Sequence, residues 1–280
     1  MAEARLSYCA DQVRIGDHDR FLTALFAPEP ARERLFALYA FNLEIARIRD
    51  LVSEPLLGEI RLQWWREGIV AIYAGETARA HPVLQALEPV IRQSGLPRQP
   101  LDALIDAHGR DFSDAPPASL AALEDYVDAT SGGLMRLALR AMGGEVSDDA
   151  IRHAGLAWGI SGLLRSVGLH ASQQRIFLPA DLTQAEGLTA QDVFSLHMRP
   201  ELRRAMLALA GQAQTHLDAM RKDLPALPRR ILPALLPVSL TQLYLNRISL
   251  PDYDPFQIQV PAPAFLRQIR LAWAMLRRRL

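Results

Sequence analysis

Apolar residues recur at helical spacing along most of the chain. Leu38, Phe41, Ile45, Ile48 and Val52 lie three or four residues apart, which predicts one face of a long amphipathic helix. Comparable patterns, separated by proline and glycine, predict roughly eight to ten helices, and no segment alternates as a half-buried strand does. We therefore expect an all-α fold with one domain over residues 1–280, in which residues 1–16 and 276–280 are candidate peripheral tails.

Local signals predict where some helices end. A helix is expected over residues 56–73, followed by Ala74 and Gly75, because glycine readily adopts the left-handed conformation that closes a helix. Ser131, Gly132 and Gly133 should interrupt or kink a later helix.

Composition narrows the classes of function. Lys and Arg total 31, as do Asp and Glu, so the chain lacks the basic surplus typical of nucleic-acid-binding proteins. The single cysteine, Cys9, excludes a disulfide framework, a cysteine-based zinc site and an iron–sulfur cluster. No apolar stretch reaches the ~20 residues that cross a bilayer, and the N-terminus reads as neither a secretory signal nor a transit peptide. We expect a cytoplasmic bacterial protein.

Familiar catalytic patterns are absent from the sequence. There is no phosphate-binding glycine loop, nucleophile elbow or zinc-protease histidine pair. The seven histidines are scattered, with no two at helical ligand spacing, which favours surface or capping roles over metal binding.

Two predicted helices each carry a stripe of residues spaced three or four apart. The first stripe is Tyr39, Asn42, Ala46 and Asp50. The second stripe is Gly155, Gly159, Gly162, Ser166 and His170. Each interior glycine costs about 1 kcal/mol relative to alanine, so three on one stripe indicate either very close helix packing or a cavity. The residues alone leave both interpretations open.

Several segments resemble squalene and phytoene synthases. Residues 35–41 (Leu-Phe-Ala-Leu-Tyr-Ala-Phe) are similar to the helix that precedes the first Asp-rich motif of that family. Gly155-Leu-Ala157, Leu163-Leu-Arg165 and Arg175-Ile-Phe-Leu-Pro179 are similar to the frame around the second motif. Further matches extend the resemblance over roughly residues 17–275: Trp64 or Trp65, Tyr73-Ala-Gly75, His81-Pro-Val-Leu84, Tyr126 to Gly133, and Tyr253-Asp-Pro-Phe256.

This resemblance implies the isoprenoid synthase fold, with helices around a central cavity, and enzymes that join two prenyl diphosphates head to head. In that family, facing Asp-x-x-x-Asp motifs hold magnesium, which binds the diphosphate and helps it to leave. Asp-x-x-x-Asp motifs suit this chemistry, because Mg²⁺ prefers oxygen ligands and aspartates four residues apart share one helical face.

The sequence departs from the family at these motif positions. The first motif becomes Ala46-Arg-Ile-Arg-Asp50, and the second becomes Ser166-Val-Gly-Leu-His170. Of the four expected carboxylates only Asp50 remains, so no confident catalytic or metal-binding residue is predicted. Gly159 and Gly162 also stand where these enzymes commonly carry Gln and Asn.

The replacements make the expected cavity mouth more basic. Arg47, Arg165 and Arg175 could together bind an anionic head group without metal, because guanidinium groups match phosphate with paired hydrogen bonds. Tyr39 and Asn42, with Gly159 and Gly162, are further candidate cavity residues. The alternative is that these arginines form intramolecular contacts or lie in solvent.

A closer resemblance is to an offshoot of the family with eroded motifs, which includes a mitochondrial assembly factor for respiratory complex I. Residues 36–46, 50–54 and 61–65 carry this similarity. It implies a non-catalytic factor with a protein partner, such as complex I subunits, at a membrane surface, and no cofactor. Two alternatives stay open: an active prenyl transferase, which would need Mg²⁺, or a protein that binds a prenyl or other lipid.

The C-terminal segment bears on membrane contact. Leu266, Ile269, Trp273, Leu276 and Leu280 line one face of a predicted helix, while arginines lie on other faces. Such a helix suits either a lipid interface or, as we favour from the sequence, the last helix of the protein core with one solvated edge.

Overall fold

The computed structural model describes residues 6–224, 226–257 and 263–280, and within these it is helical without strands. The α-helices are α1 (Tyr8–Gly16), α2 (His18–Ala24), α3 (Ala31–Ala46), α4 (Ile48–Leu51), α5 (Pro55–Tyr73), α6 (Pro82–Ser94), α7 (Arg98–Gly109), α8 (Leu120–Val127), α9 (Gly133–Ala141), α10 (Asp148–Arg165), α11 (Val167–Ser172), α12 (Ala180–Ala185), α13 (Ala190–Phe194), α14 (Pro200–Asp223), α15 (Leu232–Leu235), α16 (Thr241–Ile248) and α17 (Ala264–Arg277). The all-α prediction is confirmed, and the helices outnumber the expected eight to ten because several are short or broken.

The described residues form two compact units that are each discontinuous in sequence. The first unit consists of the described residues up to Phe112, together with Gly133–Glu145 and Leu227–Pro237. The second unit consists of the described parts of Ser113–Gly132, Val146–Ala226 and Val238–Leu280.

Helix α3 is the centre of the first unit. Every residue from Leu35 to Phe41 is buried, because α1, α6 and α9 pack around this helix. A helix that is apolar on all sides near its middle requires such complete enclosure. The amphipathic face that we predicted therefore understates how deeply the helix is buried.

Helix α10 is the corresponding centre of the second unit, where it packs against α14 and α16. The facing side of α14 presents a row of apolar residues, with Leu202, Met206, Leu209 and Leu217 all buried. Small side chains on the two helices are buried as well, with Ala154 and Ala157 on α10 and Ala205 and Ala213 on α14.

Several local predictions are confirmed. Helix α5 spans Pro55–Tyr73, and Gly75 adopts a φ of +85°, the left-handed conformation expected after the helix end. A π-helical turn over Asp128–Gly132 interrupts the path between α8 and α9, where the serine and glycines predicted a kink.

The N-terminal segment differs from the prediction of a peripheral tail. Residues Tyr8–Gly16 form α1, which packs against α3 and buries Cys9, Ala10 and Val13. Residues 1–5 lie outside the described residues. Among the helices of the described residues, none combines the length and apolar character needed to cross a bilayer.

Candidate functional site

The first motif lies in the first unit, at a break between two helices. Helix α3 ends at Ala46, Arg47 caps it, and α4 begins at Ile48. The amide of Asp50 donates to the carbonyl oxygen of Arg47 at 3.0 Å, a tighter turn than the α-helical spacing of four residues. The stripe that we predicted from Tyr39 to Asp50 is therefore interrupted before Asp50, whose side chain is exposed.

Arg47 contacts the end of the first helix. Its guanidinium group lies against Gly16, so closely that a Cβ built on Gly16 would be 2.1 Å from Arg47 Nη2. Gly16 is the last residue of α1, and a cation at a helix C-terminus is stabilised by the helix dipole. Arg47 thus makes an intramolecular contact, which is the alternative to anion binding that the sequence left open.

Tyr39 is enclosed in the first unit, while Asn42 on the same helix is half-buried. The Arg20 guanidinium carbon lies 5.6 Å from the centre of the Tyr39 ring, and Arg20 Nη1 pairs with Asp17 Oδ2 at 2.6 Å. Burial raises the pKa of Tyr39 well above its ordinary value. The Tyr39 hydroxyl is buried without a hydrogen-bond partner among the described residues.

The second motif lies in the second unit, also at a break between helices. Helix α10 ends at Arg165, Ser166 caps it, and α11 begins at Val167. The amide of His170 still donates to the carbonyl oxygen of Ser166 at 2.9 Å, so the interruption is slight. Both stripes that we predicted from the residue spacing therefore cross a helix end, at Arg47 and at Ser166.

The glycine stripe of α10 divides into packed and open positions. A Cβ on Gly155 would lie 2.6 Å from the Cα atom of Gly132, and a Cβ on Gly159 would lie 2.4 Å from Val127 Cγ1. These two glycines therefore serve close packing. Around Gly162 the nearest neighbour, Arg165 Nη2, is 4.0 Å away, so this position has space for a side chain. The central cavity stays a prediction.

His170 and Arg175 meet at one aromatic ring. The imidazole of His170 lies 4.6 Å from the centre of the Phe177 ring, and the guanidinium carbon of Arg175 lies 5.1 Å from it. A cavity bordered by these three side chains and Leu163 has room for about one water molecule. This cavity is too small for a prenyl chain.

Arg165 contacts different aromatic residues. Its guanidinium carbon lies 4.0 Å from the ring centre of Tyr244 and 5.4 Å from that of Trp158. Stacking on aromatic faces is a favourable interaction for guanidinium. Arg165 also counteracts the burial that raises the pKa of Tyr253. Arg165 and Arg175 thus stack on separate aromatic groups within the second unit, and the described contacts do not join them in one anion site.

Two features of the second unit were missed by the sequence analysis. A Cβ on Gly168 would lie 2.0 Å from the carbonyl oxygen of Pro255, so only glycine fits beneath this backbone. His153 Nδ1 lies 2.9 Å from His216 Nδ1, and His216 Nε2 lies 3.2 Å from Glu124 Oε1. These pairs come from segments far apart in sequence, so residue spacing gave no signal for them.

The donor groups at the motif positions do not fit magnesium. The first motif supplies a methyl group at Ala46, a carboxylate at Asp50 and a guanidinium at Arg47 held on α1. The second motif supplies a hydroxyl at Ser166 and an imidazole at His170, which packs against Phe177. Mg²⁺ prefers several oxygen ligands, usually including carboxylates. In the part of the chain that the structure describes, no three His, Cys, Asp or Glu side chains are grouped to hold a metal ion.

Comparison with known proteins agrees with the fold. The model of the squalene/phytoene synthase family matches residues 13–277. NADH dehydrogenase (ubiquinone) complex I, assembly factor 6 of Bos taurus is 32% identical over 251 residues, covering 89% of this chain and 75% of that protein. Presqualene diphosphate synthase of Rhodopseudomonas palustris is 29% identical over 210 residues, covering 74% of each chain. A crystal structure of a dehydrosqualene synthase in complex with ligand superposes with a TM-score of 0.79 at 17% identity, covering 96% of this chain and 94% of that one. This structural likeness shows the isoprenoid synthase fold.

Proposed function

We propose that this chain, which belongs to the squalene/phytoene synthase family, is a non-catalytic assembly factor for respiratory complex I. The observation that carries the proposal is the loss of carboxylates at three of the four motif positions, which are Ala46, Ser166 and His170. The similarity to complex I assembly factor 6 supports the same function.

The contacts at the motif positions support structural roles for the residues that replace the acids of the family motifs. Arg47 lies on the end of α1, and His170 packs on Phe177. Diphosphate departure in this family requires magnesium, and the donor groups do not fit that ion. The proposed factor therefore works without a cofactor. The similarity to complex I assembly factor 6 supports a protein partner that includes complex I subunits, and the cytoplasmic location stays a prediction from the sequence.

The experiment that tests this function separates assembly from catalysis. We would delete the gene in its native host and measure NADH:quinone oxidoreductase activity, assembled complex I and isoprenoid products. The proposal expects loss of assembled complex I with unchanged isoprenoids, and rescue by the wild-type gene. An unchanged complex I would contradict the proposal.

Asp50→Ala gives the sharpest variant, with Glu59→Ala as a matched control, since both carboxylates are exposed. Both variants should restore complex I to the wild-type level, and each should change the free energy of unfolding by no more than about 1 kcal/mol, the usual contribution of a contact made by an exposed carboxylate. If Asp50→Ala alone fails while it stays folded, and the failure follows Mg²⁺ concentration, the retained carboxylate is catalytic.

Prenyl transfer is the second candidate, because a presqualene diphosphate synthase is similar over 210 residues. We would incubate the purified protein with Mg²⁺ and farnesyl or geranylgeranyl diphosphate and measure released pyrophosphate beside an active synthase. Our proposal expects no release. Release that requires both Mg²⁺ and substrate would establish the transferase, whereas prenyl lipid that co-purifies without turnover would indicate a lipid-binding protein.

A further inference from the structure

Helix α17 turns its bulky apolar side chains outward. Leu271 and Ala274 are buried, whereas a row of large side chains on the other side is 45% to 69% exposed: Phe265, Leu266, Ile269, Trp273 and Leu276. The members at 265, 269, 273 and 276 lie three or four residues apart, so they form a continuous stripe along the helix. We call this set the α17 stripe.

The opposite side of α17 is held by its own unit. Arg270 Nε donates to the carbonyl oxygen of Ser239 at 3.0 Å, and Arg267 is buried together with Leu271. The helix is thus fixed on its inner side, and the α17 stripe is not its core-packing face. The sequence analysis favoured the protein core for this face, and the structure exposes it instead.

The charge on α17 itself has one sign. Residues 264–280 contain five arginines and no acidic residue, although the whole chain has equal numbers of acidic and basic residues. Arg267 and Arg270 lie on the inner side, whereas Arg277, Arg278 and Arg279 are exposed at the end of the stripe. The Arg277 guanidinium carbon lies 4.2 Å from the Trp273 ring centre, so a cation sits directly beside the apolar stripe. An exposed apolar face bordered by arginine and containing tryptophan is typical of helices that lie in a lipid interface.

We propose that the α17 stripe docks this protein on a membrane surface rich in anionic lipid. The apolar side chains would enter the boundary between headgroups and acyl chains, while the exposed Arg277, Arg278 and Arg279 would contact the phosphates. The helix has 14 residues and measures about 21 Å, so it would lie along the surface. A second copy of the chain fits less well, because pairing two α17 stripes would join two surfaces that together carry six exposed arginines and, within residues 264–280, no acidic residue.

This docking is independent of the proposed assembly role, because a transferase of the same fold would carry the same helix. It is tested by flotation of the purified full-length chain with vesicles of phosphatidylcholine alone or with about 30% phosphatidylglycerol. We expect flotation only with the anionic vesicles. Failure of the wild-type chain to float with them would overturn the proposal and leave the complex I experiments unaffected.

Variants then separate the apolar stripe from its charge. Phe265→Ser/Ile269→Ser/Leu276→Ser should weaken binding more than about tenfold, because each change removes apolar area from the interface. The matched control is Leu56→Ser/Ile60→Ser, two exposed apolar residues on α5, which should bind like the wild type. Thermal melts of both variants would verify that they fold.

Two readouts exclude other occupants of the stripe. Trp273 fluorescence should shift to the blue on adding anionic vesicles, and the shift should be missing in Trp273→Phe. Binding that survives the stripe variant but disappears at about 0.5 M salt would show adsorption by charge alone and overturn the proposal. A dimer that dissociates in the stripe variant, without vesicle binding by the wild type, would overturn it in favour of self-association.

Discussion

Two glycines on α10 make opposite demands on side-chain volume. Gly155 faces the backbone of Gly132, where a Cβ would come within 2.6 Å, while the nearest atom around Gly162 is 4.0 Å away. The glycines of this stripe therefore do not share one structural role. Close packing explains Gly155, and open space surrounds Gly162.

This difference predicts opposite signs for the same substitution. Gly155→Ala should destabilise the protein by about 2 to 4 kcal/mol, because the helix backbones would have to separate. Gly162→Ala should stabilise it by about 0.5 to 1 kcal/mol, because alanine is the better helix former. Urea unfolding of both variants tests the pair, and equal destabilisation would show that Gly162 is also closely packed.

The histidine pair of the second unit, His153 and His216, predicts that the free energy of unfolding depends on pH. Burial, and then the neighbouring His216, lowers the pKa of His153, while Asp149 and Asp223 act in the opposite direction. The unfolded chain therefore binds this proton more readily than the folded one. The contribution of neutral His153 to the free energy of unfolding is therefore fully present above the ordinary histidine pKa of about 6.5, and it is lost as the pH falls below that value.

His153→Asn should flatten the fall in unfolding free energy between about pH 6.5 and 5, because asparagine donates a hydrogen bond without titrating. His197→Asn is the matched control, since His197 is exposed and contacts only the carbonyl of Ser195 in the described hydrogen bonds. It should leave the pH profile as in the wild type. If the unfolding free energy of His153→Asn fell more steeply with decreasing pH than that of the wild type, this prediction would be wrong.

At the scale of elements, apolar periodicity predicted the fold class and the location of the main helices. It did not predict the break at Arg47, because the apolar spacing continues across that position from Ile45 to Ile48. The sequence also contained no signal for contacts between distant segments. Gly168 lies against the backbone of Pro255, and His153 lies beside His216. The motif residues themselves could be located by resemblance, whereas their contacts depend on side-chain directions that spacing does not define.

The contact between Arg47 and α1 gives a prediction at this scale. Arg47→Gln should lower the free energy of unfolding by about 0.5 kcal/mol, and Arg47→Glu by about 1 to 2 kcal/mol, because an anion would face a helix C-terminus. Arg61→Glu, an exposed charge reversal on α5, is the control and should change stability by less than about 0.5 kcal/mol. If all three variants were equally stable, the contact between Arg47 and α1 would not contribute to stability, and anion binding by Arg47 would again have to be considered.

At the scale of the whole molecule, the loss of carboxylates affects both units. The first unit keeps Asp50 of its motif, and the second keeps neither acid, because Ser166 and His170 replace them. A single reverted residue would therefore leave at most one motif complete. This distribution predicts that the chain has lost metal-dependent substrate binding as well as turnover.

Ligand-induced stabilisation measures that loss without requiring catalysis. A ligand that binds only the folded state at about 100 times its dissociation constant adds about 2.7 kcal/mol, which for a chain of this size raises the melting temperature by about 5 °C. Mg²⁺ with a non-hydrolysable farnesyl thiodiphosphate should produce such a shift in an active synthase and less than about 1 °C here. A shift that requires Mg²⁺ would contradict the non-catalytic proposal. A shift without Mg²⁺ that disappears in Arg165→Gln would instead identify a metal-free anion site at the arginine that stacks on Tyr244.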